Sequence, residues 1–310
     1  MTETHPSLRV GAPLWIDYCA SDFERQREFY TAIFGWEFDD RGPDFGHYMM
    51  ISKDGAMVAG AMDAERMVEG TDQEAPPAAW SVYLKTEDIQ ATVAAAAEHG
   101  GQVVVEPMEV GPLGSMAVVM TAGGEPVGFW QPAEFQGHDL PLTVGTSIWF
   151  EIMSTNYDAD AEFYRQVAGW DVVPMDEPEP SHGEAGPEAG AGARTEAEAG
   201  ADVGQEDGPR YATNFAGEDA SAGLCDAAQW LPKGTPSYWR PYFRVTDADR
   251  VCDLVTELGG RVLDGPMDSP FGRVASISDP AGAVFQINQT PAHSPAPIRN
   301  SPPFETRARR

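Results

Sequence analysis

The chain has 310 residues, 42% of them hydrophobic, and carries 49 acidic against 20 basic side chains for a formal net charge of −29. That length suits about two domains, the apolar fraction excludes global disorder, and so acidic a surface repels nucleic-acid phosphates and anionic lipid. Three scattered cysteines without a CxxC pair, a start lacking a secretory signal, and no apolar run near the ~20 residues of a membrane span predict a cytoplasmic protein.

"LWIDYC" alternates as a strand does, and Ser21-Asp22 then offers an N-cap to "FERQREFYTAIF". Phe23, Phe29, Tyr30 and Ile33 fall at helical spacing there, with Gly35 as terminator. "WEF" starts the next strand, and "HYMMIS", "KDG" and "AMVAGAM" read as strand, turn and strand. The same order follows again: strand "AWSVYLKT", the Ala-rich helix "EDIQATVAAAAEHG" closed by Gly100, then strands "QVVVEPM", "GSMAVVMTA" and "PVGFWQ". This is two βαβββ units in succession.

The whole pattern then recurs. Trp15, Asp17, Phe29-Tyr30 and Gly35-Trp36 are answered by Trp149, Glu151, Phe163-Tyr164 and Gly169-Trp170. Later, "WSVYLKTED" is answered by "WRPYFRVTD", and "GPLGSMAVVMTAGGEPVGFWQ" runs without a gap against "SPFGRVASISDPAGAVFQINQ". The chain is therefore a duplicated domain, with boundaries expected at 11–135 and 145–290. Residues 176–207 hold ten acidic groups against one Arg, and they read as a disordered acidic insertion in the second copy. The Pro-rich tail, 291–310, is expected to be disordered too.

The paired βαβββ units, the helix-to-strand stretch "D…FYTAIFGWEF" and the terminal hairpin "DPAGAVFQI" resemble the vicinal oxygen chelate superfamily. That superfamily includes glyoxalase I, extradiol dioxygenases and bleomycin-resistance proteins. In particular the chain is similar to tandem glyoxalase-like proteins of actinobacteria, several of which serve secondary metabolism. The resemblance implies an α+β fold: two tandem domains, each two βαβββ units forming a cup-shaped open barrel with its ligand inside. In metal-dependent members, His or Glu ligands project from the first strand of each unit and from the last strand. Those positions fall on Trp15, Ser81 and Gly128 in copy one, and on Trp149, Arg240 and Gln286 in copy two. Trp, Gly and Arg offer a cation no lone pair, so neither a metal nor any other cofactor is expected. Of the six histidines, His47 alone falls on a candidate barrel strand.

Alternate residues of a strand share a face. If Trp15 and Trp149 point inward, copy one presents Trp15, Tyr83 and Trp130 around Asp17. Copy two presents Trp149 and Tyr242 around Glu151, Arg240, Gln286 and Asn288. Aromatic walls with few polar groups suit a planar ligand, although both tryptophans could equally plug the cups. Asp17, Glu151 and His47 are the candidate proton-transfer groups. The carboxylates have a structural alternative, and Arg240 facing Glu151 would form a buried ion pair. The more polar second cup is the expected working one. No nucleotide-binding glycine loop, zinc-protease motif or nucleophile elbow occurs.

The reading is a metal-independent protein that binds, and transforms, a small aromatic or polyketide-type metabolite. The alternative is a non-catalytic resistance protein that sequesters a drug, for which the acidic surface would favour a cationic ligand. A metal-dependent lyase or dioxygenase ranks last. No nucleic-acid or membrane partner is expected, and the chain would be a monomer acting as its own pseudo-dimer, or a homodimer.

Overall fold

The computed structural model describes residues 8–138, 143–175 and 210–290. The acidic insertion at 176–207 and the tail at 291–310 lie outside the described residues.

The first copy runs β1 (Pro13–Ala20), α1 (Phe23–Phe34), β2 (Glu37–Asp40), β3 (Met49–Lys53), β4 (Ala56–Asp63) and the short α2 (Ala64–Met67). It continues with β5 (Ala79–Lys85), α3 (Ile89–Glu98), β6 (Gln102–Val110), β7 (Gly114–Met120) and β8 (Pro126–Pro132). The second copy repeats it as β9 (Ser147–Ser154), α4 (Tyr157–Val167), β10 (Val173–Pro174), β11 (Tyr211–Thr213) and β12 (Ala222–Asp226). Its second unit is β13 (Tyr238–Arg244), α5 (Ala248–Glu257), β14 (Arg261–Ser269), β15 (Gly272–Ser278) and β16 (Val284–Gln289).

Local chemistry sets the element ends. Asp88 and Asp247 cap α3 and α5, each accepting a backbone N–H at 3.0 Å. Asp22 precedes α1 as expected but makes no side-chain cap bond, because its backbone is left-handed there (φ 52°). Gly35 ends α1 with φ 68° and donates its N–H to the Thr31 carbonyl.

Among the described residues each copy forms one eight-stranded sheet, ordered β2-β3-β4-β1-β5-β8-β7-β6 and, in the second, β10-β11-β12-β9-β13-β16-β15-β14. The helices cross over between the parallel neighbours β1/β4, β5/β8, β9/β12 and β13/β16. The two units of a copy meet where β1 runs antiparallel to β5, and β9 to β13. Asp17 thereby stands opposite Ser81, and Glu151 opposite Arg240. These are the two open cups that the sequence led us to expect.

Period-two alternation sorts the side chains. On β1, Ile16, Tyr18 and Ala20 turn outward, and on β5, Trp80, Val82 and Leu84 do the same. They join Phe29, Tyr30 and Phe34 of α1 and, from the second copy, Phe150, Ile152, Phe163, Tyr164, Phe243 and Phe285 in one continuous core. The core thus lies between the copies, and the cups face away from it.

A reciprocal pair of bonds locks this core. The Trp36 indole N–H donates to the Gly145 carbonyl (2.7 Å), and the Trp170 indole to the Gly11 carbonyl (2.8 Å). Each copy's "GW" thus reaches the glycine that opens the other copy's first strand. Gly11 (φ 81°) must be glycine, since a Cβ there would stand 2.1 Å from the Ala168 carbonyl oxygen.

Carboxyls bridge the same seam. Asp279 accepts from the hydroxyls of Tyr18 (2.6 Å) and Tyr30 (2.9 Å), while its other oxygen takes the Ala281, Gly282 and Ala283 amides. On the opposite side Tyr164 donates to Glu125 (2.9 Å), which lies against Asp160. Burial first, then the neighbouring Asp160 charge, pushes the Glu125 carboxyl well above its ordinary range.

Trp36→Phe keeps the ring packing and strands the Gly145 carbonyl without its donor. Equilibrium urea unfolding should show a loss of about 1–3 kcal/mol with an unchanged slope; an unaltered midpoint would show that the bond contributes nothing.

Candidate functional site

The first cup is built on β1, β5 and β8. Trp15 and Asp17 share the inner face of β1, and the indole N–H of Trp15 donates to Asp17 Oδ1 (3.0 Å) and to the Tyr48 hydroxyl (2.9 Å). Tyr48 in turn donates to the same Oδ1 at 2.6 Å. Tyr83, opposite Trp15 on β5, adds a further hydrogen-bonding influence on the carboxyl. Burial raises the Asp17 pKa above the ordinary aspartate value, and the bonds from Tyr48, Trp15 and Tyr83 pull against that rise.

Leu14, Trp15, Tyr83 and Trp130 form the cup's apolar cluster, with Met50, Met116, Val118 and Leu113 packed on it. The segment after β8 folds back over this cluster. Phe135 meets Trp15 edge-on (centroids 4.9 Å) and Trp130 likewise (5.7 Å), and the Trp130 indole donates to the Phe135 carbonyl (3.1 Å). Close approach demands glycine at two places. A Cβ at Gly60 would stand 1.6 Å from the Tyr48 hydroxyl oxygen and 2.3 Å from Asp17 Oδ1; one at Gly128 would stand 2.3 Å from the Tyr83 ring.

The second cup repeats the frame and changes its contents. Trp149 donates to the Tyr211 hydroxyl (3.1 Å), and Tyr242 donates to Glu151 Oε2 (2.7 Å). Arg240 donates to that same oxygen at 2.5 Å, to the Tyr242 hydroxyl at 3.1 Å and to Ser276 at 3.2 Å. Ser276 passes a bond on to Gln286 (2.8 Å). Asn288 donates to the Phe271 carbonyl, holding the β14–β15 turn over the cup.

A sequence model of the Glyoxalase/Bleomycin resistance protein/Dioxygenase superfamily matches residues 13–129, and one of a glyoxalase-like domain matches 149–288. CFP32 of Mycobacterium tuberculosis (strain CDC 1551 / Oshkosh), provisionally named a glyoxylase, is 32% identical over 282 residues, covering 90% of this chain and 95% of its own. The chain belongs to the glyoxalase/bleomycin-resistance/dioxygenase superfamily.

Two further comparisons bear on it. The anthracycline biosynthesis protein DnrV of Streptomyces peucetius is 29% identical over 287 residues, covering 89% of this chain and 92% of its own. The Mn(II)-bound glyoxalase of Novosphingobium aromaticivorans shares the fold with a TM-score of 0.56 at 15% identity, covering 91% of this chain and 83% of that one.

A divalent metal of the kind that superfamily's metal-dependent members hold does not fit either cup. The inward positions hold an indole whose N–H is already committed (Trp15, Trp149), a Gly128 roofed by the Tyr83 ring, and an Arg240 cation bonded to the nearest carboxylate. Among the described residues no group of three His, Cys, Asp or Glu side chains is placed to hold an ion.

The structure therefore gathers Trp15, Asp17, Tyr83 and Trp130 in one cup, and Trp149, Glu151, Arg240, Tyr242, Gln286 and Asn288 in the other. His47 joins neither group. It sits in the turn before β3 rather than on a strand, with a left-handed backbone (φ 59°), and its ring bonds Asp40 at 2.9 Å. The next residue, Tyr48, is the one that reaches Asp17. Tyr48, beside β3, Tyr211, opening the short β11, and Phe135, in the linker, went unread because none of these positions carries a clear facing signal in the sequence.

The cups differ in access. Asp17, Ser81, Met50 and Val118 are half-buried, whereas Glu151 (0% exposed), Arg240 (4%) and Gln286 (1%) are closed off. The cavity left between Trp149, Glu151, Tyr211, Tyr242 and Phe271 is about 10 Å³, about one water's worth by probe volume. An open cleft of about 460 Å³ beside Lys53, Asp54 and Thr143 lies outside both cups and has no aromatic wall.

Gly60→Ala should displace the Tyr48 hydroxyl from Asp17 and cost about 1–3 kcal/mol through overpacking. A crystal structure of the variant and its thermal melt check this; a native melt with the Tyr48–Asp17 bond intact would contradict it.

Proposed function

We propose that the first cup binds a small aromatic or polyketide-type metabolite of secondary metabolism, without a metal, and that Asp17 takes a proton from it. The observation that carries this reading is the contrast between the two carboxylates. Asp17 is half-buried and, among the described residues, accepts from the neutral donors Trp15 and Tyr48, while Glu151 is enclosed and bonded to Arg240. A general base needs both access and a free lone pair. The working cup in this reading is the first, contrary to the expectation drawn from polarity, because the second is closed: Glu151 Oε2 is held by Arg240 and Tyr242, and its Oε1, although without a hydrogen-bond partner, is shut away from any ligand. Glu151 acts there as a structural carboxylate, and His47 lies outside the scheme. The aromatic walls, Trp15, Tyr83 and Trp130, orient a flat ligand over Asp17.

The ligand class draws support from relatives named for anthracycline biosynthesis, DnrV and the Streptomyces sp. (strain C5) protein DauV, the latter 28% identical over 288 residues. A second reading, sequestration of a drug without turnover, is favoured by the net charge of −29, which attracts a cationic compound at long range.

Asp17→Asn separates them. If the chain is an enzyme, kcat toward its aromatic substrate falls by about 100-fold or more, while Glu151→Gln lowers stability and leaves the pH profile in place. If the chain sequesters, the wild type shows binding and no turnover. The pH dependence follows in sign. Since burial raises the Asp17 pKa, the base form is lost as pH falls and the acid limb of kcat/KM lies above the ordinary aspartate range. Tyr48→Phe removes the donor that most opposes the rise, so it should move that limb to higher pH; an unmoved limb would exclude Asp17 as the titrating base.

A further inference from the structure

The two cups share a frame in which Trp15, Tyr48, Tyr83 and Asp17 correspond to Trp149, Tyr211, Tyr242 and Glu151. The bonds repeat with it: indole to tyrosine hydroxyl in both (2.9 and 3.1 Å), and β5 or β13 placing a tyrosine against the carboxylate. One position breaks the correspondence. Opposite the carboxylate, in the same antiparallel register, stands Arg240 in the second cup and Ser81 in the first. The residues that steady the guanidinium change together with it. Ser276, which accepts from Arg240, is answered by Val118, and Gln286, which accepts from Ser276, by Gly128.

The second cup therefore contains, covalently attached, a planar cation lying against its carboxylate beside an aromatic ring: the guanidinium carbon is 5.4 Å from the Tyr242 ring centre. The first cup lacks the cation and its supports as a set and has the carboxylate and aromatic rings alone. A half-buried carboxylate with no cation beside it draws one in. Ser81, opposite Asp17, is itself half-buried, whereas Arg240 at the matching position is closed off.

We propose that the first cup takes a ligand bearing a cationic nitrogen group, an amidinium, guanidinium or protonated amine on a flat apolar body. That group stands over Ser81 and pairs with Asp17 where Arg240 pairs with Glu151. The inference rests on the first cup being the ligand site and deepens the sequestering reading, in which the ionised Asp17 pairs with the ligand's cation instead of taking a proton from it. Arg240 is then the second cup's built-in occupant, which is why that cup has no room for a ligand.

Benzamidine and its neutral near-isostere benzamide test this on the intact chain, by isothermal titration at neutral pH. One benzamidine should bind per chain at least about tenfold more tightly than benzamide, as a desolvated charge-assisted pair requires, and Asp17→Asn should remove the difference. Ser81→Arg should supply the cation internally and block the site, with far-UV circular dichroism and melting temperature showing that the fold persists. The wild-type ratio of the two probes needs no variant. Equal affinity for both, lost in Ser81→Arg, would overturn the cation pairing and leave the first cup as a binding site. Binding that Ser81→Arg does not disturb would place the ligand elsewhere and overturn both readings. No binding of either probe at millimolar concentration would overturn the cation pairing.

Discussion

Everything in this molecule depends on the burial of two sheet faces against each other. Each copy's outer face, lined by residues such as Tyr18, Val82, Phe150 and Phe243, would be a large apolar surface if left alone. Joined, the two faces and their helices make one core, and the reciprocal bonds of Trp36 to Gly145 and Trp170 to Gly11 fix the pairing on both sides. The cups are consequences. With the outer faces spent on the core, the inner faces curve away from it and hold whatever the strands place there.

A carboxylate inside a cup is a constraint that has to be met. Left without partners it would be protonated or would destabilise the fold. The second copy meets the constraint internally with Arg240, Tyr242 and the Ser276–Gln286 relay, an arrangement that trades two desolvation costs against one strong pair. The first copy surrounds its carboxylate with neutral donors instead, and burial leaves Asp17 with a raised pKa. Duplication permits this division: the shared core needs both copies, while the two cups are free to differ.

Much of the fold was legible because repetition amplifies weak signals. A single "FGWEF" could be many things; two of them in step, followed by two matching terminal hairpins, define a duplicated βαβββ plan. The inward faces followed from strand alternation, so Trp15, Asp17, Tyr83 and Trp130 could be grouped before any coordinates. What sequence could not show was which polar groups satisfy one another. Sequence alternation could foresee Arg240 facing Glu151 as a buried ion pair, but not the Tyr242 and Ser276–Gln286 bonds around it or how far that cup is closed. His47 was misplaced because the strand begins at Met49, two residues later than the pattern suggested. The Asp22 cap failed for a similar local reason, a backbone conformation that composition does not reveal.

The open first cup and the closed second cup can be compared directly through two thiols. Cys19 lies on β1 two residues beyond Asp17 and is half-buried; Cys225 lies in the second cup's cluster with Met153 and Tyr211, at 2% exposure. Pulsed alkylation of the native chain, read by mass spectrometry across a denaturant series, measures their access. Cys19 should label without unfolding and Cys225 only through global unfolding. Labelling of Cys225 under native conditions, as fast as Cys19, would contradict the account.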